Sequence, residues 1–519
     1  MRATLWALSV AAASPLVAQS RHWTERERVI VTEFRRVQAV AASDIRVFVV
    51  TAEGLGLYDR RFQRWEAPVT QAEGFPREPV LAALADPADD AVWLGTPSGL
   101  LLYRPLFRQF ESYIIPGGVR GFAYDRGDPF RGIYLRTASG WEFLPRGSFM
   151  PGREPLPPPG RRGGTISVEE VLAREPVVEA MRAAVLVDDR LRTLRWTAAA
   201  AVPNTDEYYL GTDDGGVVRF DALSARFEPL LFGLLSPGAG AVLAVPGGVW
   251  VGTDGRGTRG GLTFVSDDLQ RYGYEEGPRG TSFGGFAVRA LMIRGREIWA
   301  ATEAGVARVV PEREFRRLSR SNGLPDDDVY ALAQGPSGVW IGTAVGLGFL
   351  AEGDDEVHWS GGPPVPVLAL SAARDTAWVG MTAGLGLVTP GGDILVPRGW
   401  DSVPEMREAI VAVTRVADTL VAATVDRILW KAPGEGWRVE RSVGPHAGAI
   451  YALAPDQGGV WVGGRNALVR FGFLASDLRV FRVPGDIPGP IRGISVDPRY
   501  LWLATEGGLV RFERSALTP

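Results

Sequence analysis

The chain has 519 residues, 56 of them basic and 60 acidic, for a formal net charge of −4. That balance provides no general field to attract nucleic acid or an anionic membrane, and the length allows one large core or two. There is no cysteine, which excludes disulfides, cysteine metal sites and a lipid-anchored N-terminal cysteine. Lys431 is the single lysine in a chain rich in Arg, Ala, Gly and Pro. The Arg- and Gly-rich segments RGTRGG (256–261) and GRRGG (160–164) are therefore read as Gly-rich loops. They lack the patterned aromatic residues that stack RNA bases.

Residues 1–18 read as a secretory signal peptide. Arg2 supplies a minimal positive start, Leu5 to Ala13 form a short apolar run, and small residues around Ala18 mark the cut. This predicts an exported protein, periplasmic or secreted. Next comes RVIVTEF (28–34), a lone strand with no partner near it in sequence. From there a single phrase recurs eleven times: an aromatic residue, an aliphatic residue or Ala, Gly or Ala, Thr, a polar turn with Gly, and an apolar strand. Clear copies are VWLGTPSGLLLY, YYLGTDDGGVVRF, VWIGTAVGLGFL and LWLATEGGLVRF. The anchors are Phe48, Trp93, Tyr134, Tyr209, Trp250, Trp299, Trp340, Trp378, Trp461 and Trp502, with Val421 in the ninth copy. Most steps are near 41 residues (340 − 299 = 41, for example), and the long one is 75 (209 − 134). Short strands at this period predict an all-β propeller of about eleven four-stranded blades.

The copy at 322–359 shows how a blade is built. NGLPDD is a polar loop, VYALAQ the inner strand, GPSG a turn, VWIGT the second strand, LGFLA the third and EVHW a short outer strand. Ala and Gly flank the aromatic ring because blades stack face to face at that level, and the ring fills the wedge between them. Thr suits a strand end, and the following Gly supplies positive φ in the turn. Blades 1–3 and the lone strand occupy 19–159, and blades 4–11 occupy 198–519. Between them, 160–197 hold a flexible Pro- and Gly-rich connection (its composition shift begins at 145) and a helical insert. There Ser167 and Glu170 fit a capping box, Pro176 interrupts the run, and Val171, Val178, Met181, Val185 and Leu191 form a candidate apolar stripe.

Residues 229–253 carry no charge, but their Pro and Gly residues argue for three buried strands rather than a membrane span. The final copy lacks an outer strand, and residues 28–34 are expected to supply it, which removes an exposed edge. Eleven blades exceed the usual four to eight of one ring. Two rings are expected, such as five plus six, with both termini in one and the other nested within the chain; the alternative is a single unusually large ring.

The stretch NGLPDDDVYALAQGPSGVWIGTAVGLGFL (322–350) closely resembles the two-component regulator propeller repeat, with looser copies at 485–512 and 73–103. The resemblance covers nearly all of the expected mature chain except the helical insert. It implies a periplasmic sensor-type propeller, of a kind that in some members is thought to sense carbohydrate fragments. No membrane helix, kinase or DNA-binding segment follows Pro519, so the resemblance points to a stand-alone exported member.

In such a blade, the loop before the inner strand and the loop between the second and third strands share one face. The tips there are Glu53, Asp213, Asp214, Asp254, Arg256, Glu303, Asp426, Arg465, Asn466 and Glu506, with Asp326 to Asp328 beside them. Their carboxylates suit sugar hydroxyls, a divalent cation or a basic peptide, although no D-x-D-x-D-G calcium spacing appears. The three histidines, His22, His358 and His446, are too few for a His-rich metal site, and no nucleophile elbow or phosphate loop is present. No cofactor is expected. The leading expectation is a non-catalytic, sensor-like propeller that binds a carbohydrate, peptide or protein through these tips. The alternatives are a carbohydrate-active enzyme using Asp213, Asp254 and Glu303, and a cell-envelope scaffold whose dock is the helical insert.

Overall fold

A computed structural model describes residues 23–278, 283–359, 362–374, 376–389, 392–474 and 478–517. The expected signal peptide and His22 lie outside the described residues. The fold is all-β: eleven antiparallel sheets, ten of four strands and one with a short fifth strand. The uncharged run at 229–253 falls on Arg226–Leu230, Ala239–Val245 and Gly248–Thr253. No described helix is long and apolar enough to cross a membrane.

The recurring phrase has a hydrogen-bonding cause beyond strand preference. Its Thr is buried, and its hydroxyl donates to the carbonyl of the Gly that closes the turn. The distances are 2.8 Å for Thr302 to Gly305, 2.9 Å for Thr343 to Gly346 and 2.7 Å for Thr505 to Gly508. These glycines have φ of +100, +116 and +116°, where a side chain is strained. The anchors fill the wedges: Phe48, Trp299, Val421 and Trp502 are fully buried.

The first strand of each blade faces the axis. In blades 5–11 these inner strands are Ala239–Val245, Val288–Arg294, Val329–Gly335, Val367–Ala373, Ala412–Val416, Ile450–Asp456 and Ile491–Val496. Each lies against the next, and the last returns to the first, so seven blades close one ring. Blade 11 takes its outer strand from the other end of the chain: Arg28–Val31 pairs antiparallel with Gly508–Glu513, Arg28 opposite Phe512. The remaining inner strands are Ala39–Ala42, Ala82–Ala85, Phe122–Asp125 and Trp196–Ala201. They run in the spatial order blade 4, 1, 2, 3. The division is thus seven and four, not five and six. A repeat period counts blades, but the segments that cross between rings decide which blades are neighbours.

Two such segments, 32–38 and 231–238, run side by side. They are joined by an antiparallel bridge between Glu33 and Gly233 and by the Leu234 amide donating to the Thr32 carbonyl. Around them one apolar core spans blades 1, 4, 5 and 11. Phe232 is at its centre, stacked on Trp65 at 4.1 Å and close to Phe34 and Tyr272.

The insert occupies the space between blades 3 and 4. Residues Arg162–Gly164, expected as flexible connection, form a strand on the axial side of blade 3, with Gly163 opposite Tyr124. A Cβ at Gly163 would lie 2.2 Å from the Tyr124 ring, so only Gly permits this approach. Three short helices follow: α1 (Val168–Arg174), α2 (Pro176–Ala180) and α3 (Arg182–Val185). Ser167 and Glu170 form the capping box, and Pro176 opens α2. Val171 and Val178 are buried against Ala199, Tyr208, Leu210 and Phe220 of blade 4. Met181 and Leu191 are exposed and Leu186 is buried. The stripe stops at Val178 because the break at Pro176 and the turn at Met181 shift the helical phase.

Candidate binding face

On the seven-blade ring the loops leading into the inner strands surround one mouth of the axis. In six of these blades the inner strand carries a β-bulge at its second residue, where the register skips Gly240, Arg289, Tyr330, Leu368, Tyr451 and Arg492. Blade 9, Ala412–Val416, pairs without a skip. A bulge releases one residue from the ladder and redirects its side chain. Here side chains from neighbouring bulges meet: the Arg289 guanidinium lies 4.4 Å from the Tyr330 ring centre, and that of Arg492 lies 4.5 Å from Tyr451. Cation–π contacts of this kind favour a fixed stacked geometry.

The loop tips complete two arcs around these stacks. In the first, Arg289 pairs with Glu303 at 3.0 Å and with Asp328, which accepts a hydrogen bond from the Tyr330 hydroxyl at 2.9 Å. Asp326 is beside it, paired with Arg320 and accepting from the Asp328 amide at 2.9 Å. In the second, Arg492 pairs with Glu506 at 2.5 Å. Arg256 pairs with Asp254 and donates to the Glu506 carbonyl. Arg465 donates to the Tyr451 hydroxyl at 3.2 Å. Asn466 is exposed on the same turn, its amide bonded to the Ala447 carbonyl at 2.9 Å. Asp426 is exposed and accepts from Thr424 at 3.1 Å.

Three expected site residues are elsewhere, at the junction of the two rings. Asp213 accepts the Arg195 amide at 2.9 Å. The Asp214 carboxylate is 3.8 Å from Arg35 and 3.5 Å from Arg259, and its carbonyl accepts from both side chains. Arg259, itself buried, also reaches Asp188 and Glu276, and Arg192 pairs with the same two acids. Burial and the Glu33 charge push the Asp214 carboxyl up to about 7. Burial likewise raises Glu33, Glu276 and, with the Glu33 charge, Glu53. This network ties insert, crossover and blades together, and its ionic bonds are already made within the protein.

The ten expected tip residues thus divide between mouth and junction. Arg289, Tyr330, Tyr451 and Arg492 were missed. Their signal is present in VRA, VYA, IYA and IRG, where an Arg or Tyr stands between the first β-branched residue of an inner strand and a small one. Among the described residues no group of three or more His, Cys, Asp or Glu stands together as a metal set. His446 and His358 are both exposed.

Fold and face define a two-ring, eleven-blade β-propeller with an Arg- and Tyr-lined mouth. No family model matches the chain, and no curated protein does. Among solved structures it is similar to the extracellular domain of a hybrid two-component system from B. thetaiotaomicron. That match has 14% identity and a TM-score of 0.45, covering 92% of this chain and 68% of that one. A one-component system of the same organism gives 13% identity and a TM-score of 0.45, covering 92% and 70%. Virginiamycin B lyase from Staphylococcus aureus gives 16% identity and a TM-score of 0.44, covering 53% of this chain and 94% of the lyase. These likenesses concern the course of the chain and carry no argument about a site.

Proposed function

We propose that this chain is an exported, non-catalytic recognition propeller, sensor-like in the manner of the two-component regulator repeats it resembles. Its ligand face is the bulge-lined mouth of the seven-blade ring. One observation carries the reading: the tip carboxylates Asp254, Glu303 and Glu506 are each engaged by a guanidinium that itself lies at the mouth. A carboxylate hydrolase instead needs one acid free to donate a proton and another free to attack or to activate water. The guanidiniums of Arg256, Arg289, Arg320, Arg465 and Arg492 are interleaved with the carboxylates of Asp254, Glu303, Asp326, Asp328, Asp426 and Glu506, so the face presents both signs of charge. It offers rigid forks with spare N–H donors, two Tyr hydroxyls and two ring faces. That chemistry suits a multiply hydroxylated, oligosaccharide-like ligand.

The test is a thermal-shift screen of the chain against neutral oligosaccharides and peptides, since a ligand bound at 100 times its Kd stabilises by about 2.7 kcal/mol. A stabilising oligosaccharide whose effect disappears in Arg289→Ala and Arg492→Ala supports the reading. A stabilising neutral oligosaccharide whose effect is unchanged in both variants overturns it.

A further inference from the structure

The four-blade ring encloses a feature of its own. Along its axis lies a cavity of about 1650 Å³, walled by the inner strands of blades 1–4, the axial strand Arg162–Gly164 and helix α1. The wall is open because its inner strands are built from small residues: AVAA at 39–42, AALA at 82–85 and WTAAAA at 196–201. The helical insert, standing where a fifth blade would close the ring, forms the remaining side.

At one end of this cavity two arginines stand on neighbouring backbone segments. Arg120 and Arg136 belong to adjacent segments of blade 3, joined by the Arg120 amide donating to the Arg136 carbonyl at 2.9 Å and the Arg136 amide donating to the Gly121 carbonyl at 2.9 Å. Both side chains are exposed, both line the cavity, and neither makes a hydrogen bond or ion pair among the described residues. At the mouth, by contrast, Arg256, Arg289 and Arg492 each have a carboxylate. Two arginines without a carboxylate partner on one cavity wall offer an oxyanion charge-assisted, bidentate bonds.

Two indoles also line the wall. Trp141 is opposite Arg136 in the sheet and is partly exposed. Trp196, from blade 4, has a buried indole N–H with no hydrogen-bond partner. A buried donor left unpaired is costly and calls for an explanation.

The carboxylates in the wall do not compensate the arginines. Asp86 is taken by Arg146 and Trp93, Asp90 by Arg46 and Asp89 by Arg104. Glu170 caps α1, and Asp44 and Glu169 make no ion pair with Arg120 or Arg136. Asp44 follows the strand Ala39–Ala42, whereas Arg120 precedes the strand Phe122–Asp125, so Asp44 is at the other end of the cavity.

The geometry points to a second ligand site in the axial cavity of the four-blade ring, separate from the mouth. It takes an organic oxyanion, with its carboxylate, sulfate or phosphate group on Arg120 and Arg136 and its ring-shaped body beside Trp141 and Trp196. Sugar acids and cyclic organic acids share this chemistry.

The experiment titrates the chain with glucuronate, inorganic sulfate and glucose at constant ionic strength, following tryptophan fluorescence and heat. Glucuronate and sulfate should bind and glucose should not. Glucuronate should bind more tightly than sulfate, because only it carries a ring. The double variant R120A/R136A should weaken glucuronate binding tenfold or more, and W141A should weaken it severalfold by removing an exposed indole face. The mouth variants R289A and R492A should leave glucuronate affinity unchanged, which separates this site from the one proposed above. Both arginines are exposed, so the double variant should keep the wild-type melting temperature. Equal binding of glucose, glucuronate affinity indifferent to R120A/R136A, or no binding of either anion would overturn the proposal. Binding of sulfate but not glucuronate would overturn the role assigned to the indoles.

Discussion

The two rings solve the same closure problem differently. The seven-blade ring closes strand on strand, and its last blade is completed by Arg28–Val31, so its stability is distributed over repeated units. The four-blade ring joins blades 3 and 4 through the insert, whose strand Arg162–Gly164 pairs with Phe122–Asp125 and whose Ile166 bridges Ala199. It places helices between them, with Val171 and Val178 against the face of blade 4, and leaves its axis open. A ring closed by repetition needs only its motif, whereas one closed by an insert also depends on what holds it to its neighbour. That dependence falls on the crossover core around Phe232.

The sharpest way to break the comparison is Phe232→Ala. The ring is buried and contacts Phe34, Trp65 and Tyr272, so its loss should cost about 3–5 kcal/mol. Because it joins the rings, denaturant unfolding should split into two transitions, the four-blade ring first. Trp340→Ala removes a ring buried within blade 7 and should cost a similar amount. It should destabilise the seven-blade ring without making the four-blade ring unfold earlier. A single transition for Phe232→Ala would show that the crossover core does not couple the rings.

Gly508→Ala tests closure of the larger ring. Gly508 has φ +116°, and an added Cβ would lie 2.4 Å from the Val31 carbonyl. Strain at such φ costs about 1–3 kcal/mol, and the clash presses directly on the closing strand. Amide exchange at residues 28–31 should accelerate far more than at the inner strands of blades 6–8. Uniform acceleration would mean that the ring opens as one unit.

Thr343→Val should cost less, about 1–2 kcal/mol, by leaving the Gly346 carbonyl without its 2.9 Å donor in a buried turn. The same change at Thr212, which donates to Gly216 at 2.9 Å in blade 4, should cost as much. Equal effects, read from denaturant midpoints, would show that one turn chemistry serves both rings.

These turns belong to what could be read in the sequence. Blade number, the aromatic anchors and the Thr–Gly turn recur at similar offsets in most blades, because the blades repeat similar local contacts, with Met381 and Gly464 in place of the Thr in blades 8 and 10. The seven-and-four division depends on TEFRRVQ and LFGLLSPG, which occur once and have no period. The candidate face was legible in part. Its loop tips follow from blade topology, which sets Asp254, Arg256, Glu303 and Glu506 beside the bulge side chains. Arg289 and Arg492 lie inside strands, where alternation assigns them to the blade stack, and only the bulge turns them toward the mouth. Asp213, Asp214 and Glu53 are tips like the others. They stand on blades 1 and 4, which face the larger ring, so assembly draws them into the junction.

That junction gives the smallest effect and a clear sign. Glu33, Glu53, Asp214 and Glu276 are all raised, chiefly by burial, and Asp214 reaches about 7. A carboxyl raised in the folded state holds its proton more tightly there than in the unfolded chain. Its contribution to stability is therefore fully present below the ordinary carboxylate range and is lost as pH rises through 7. Arg35 and Arg259, 3.8 and 3.5 Å from the Asp214 carboxylate, moderate the effect. From pH 8 to pH 6 the gain should be at most about 1 kcal/mol. Glu207, whose pKa is lowered against its burial by hydrogen bonds from Arg60 and Tyr209 and by the charges of Arg60 and Arg219, titrates below this window and does not offset it. The melting temperature of the four-blade ring should therefore rise between pH 8 and pH 6, and Asp214→Asn should flatten that slope. If the slope persists in Asp214→Asn and disappears in Glu33→Gln, the crossover acid and not the blade 4 tip carries the titrating proton.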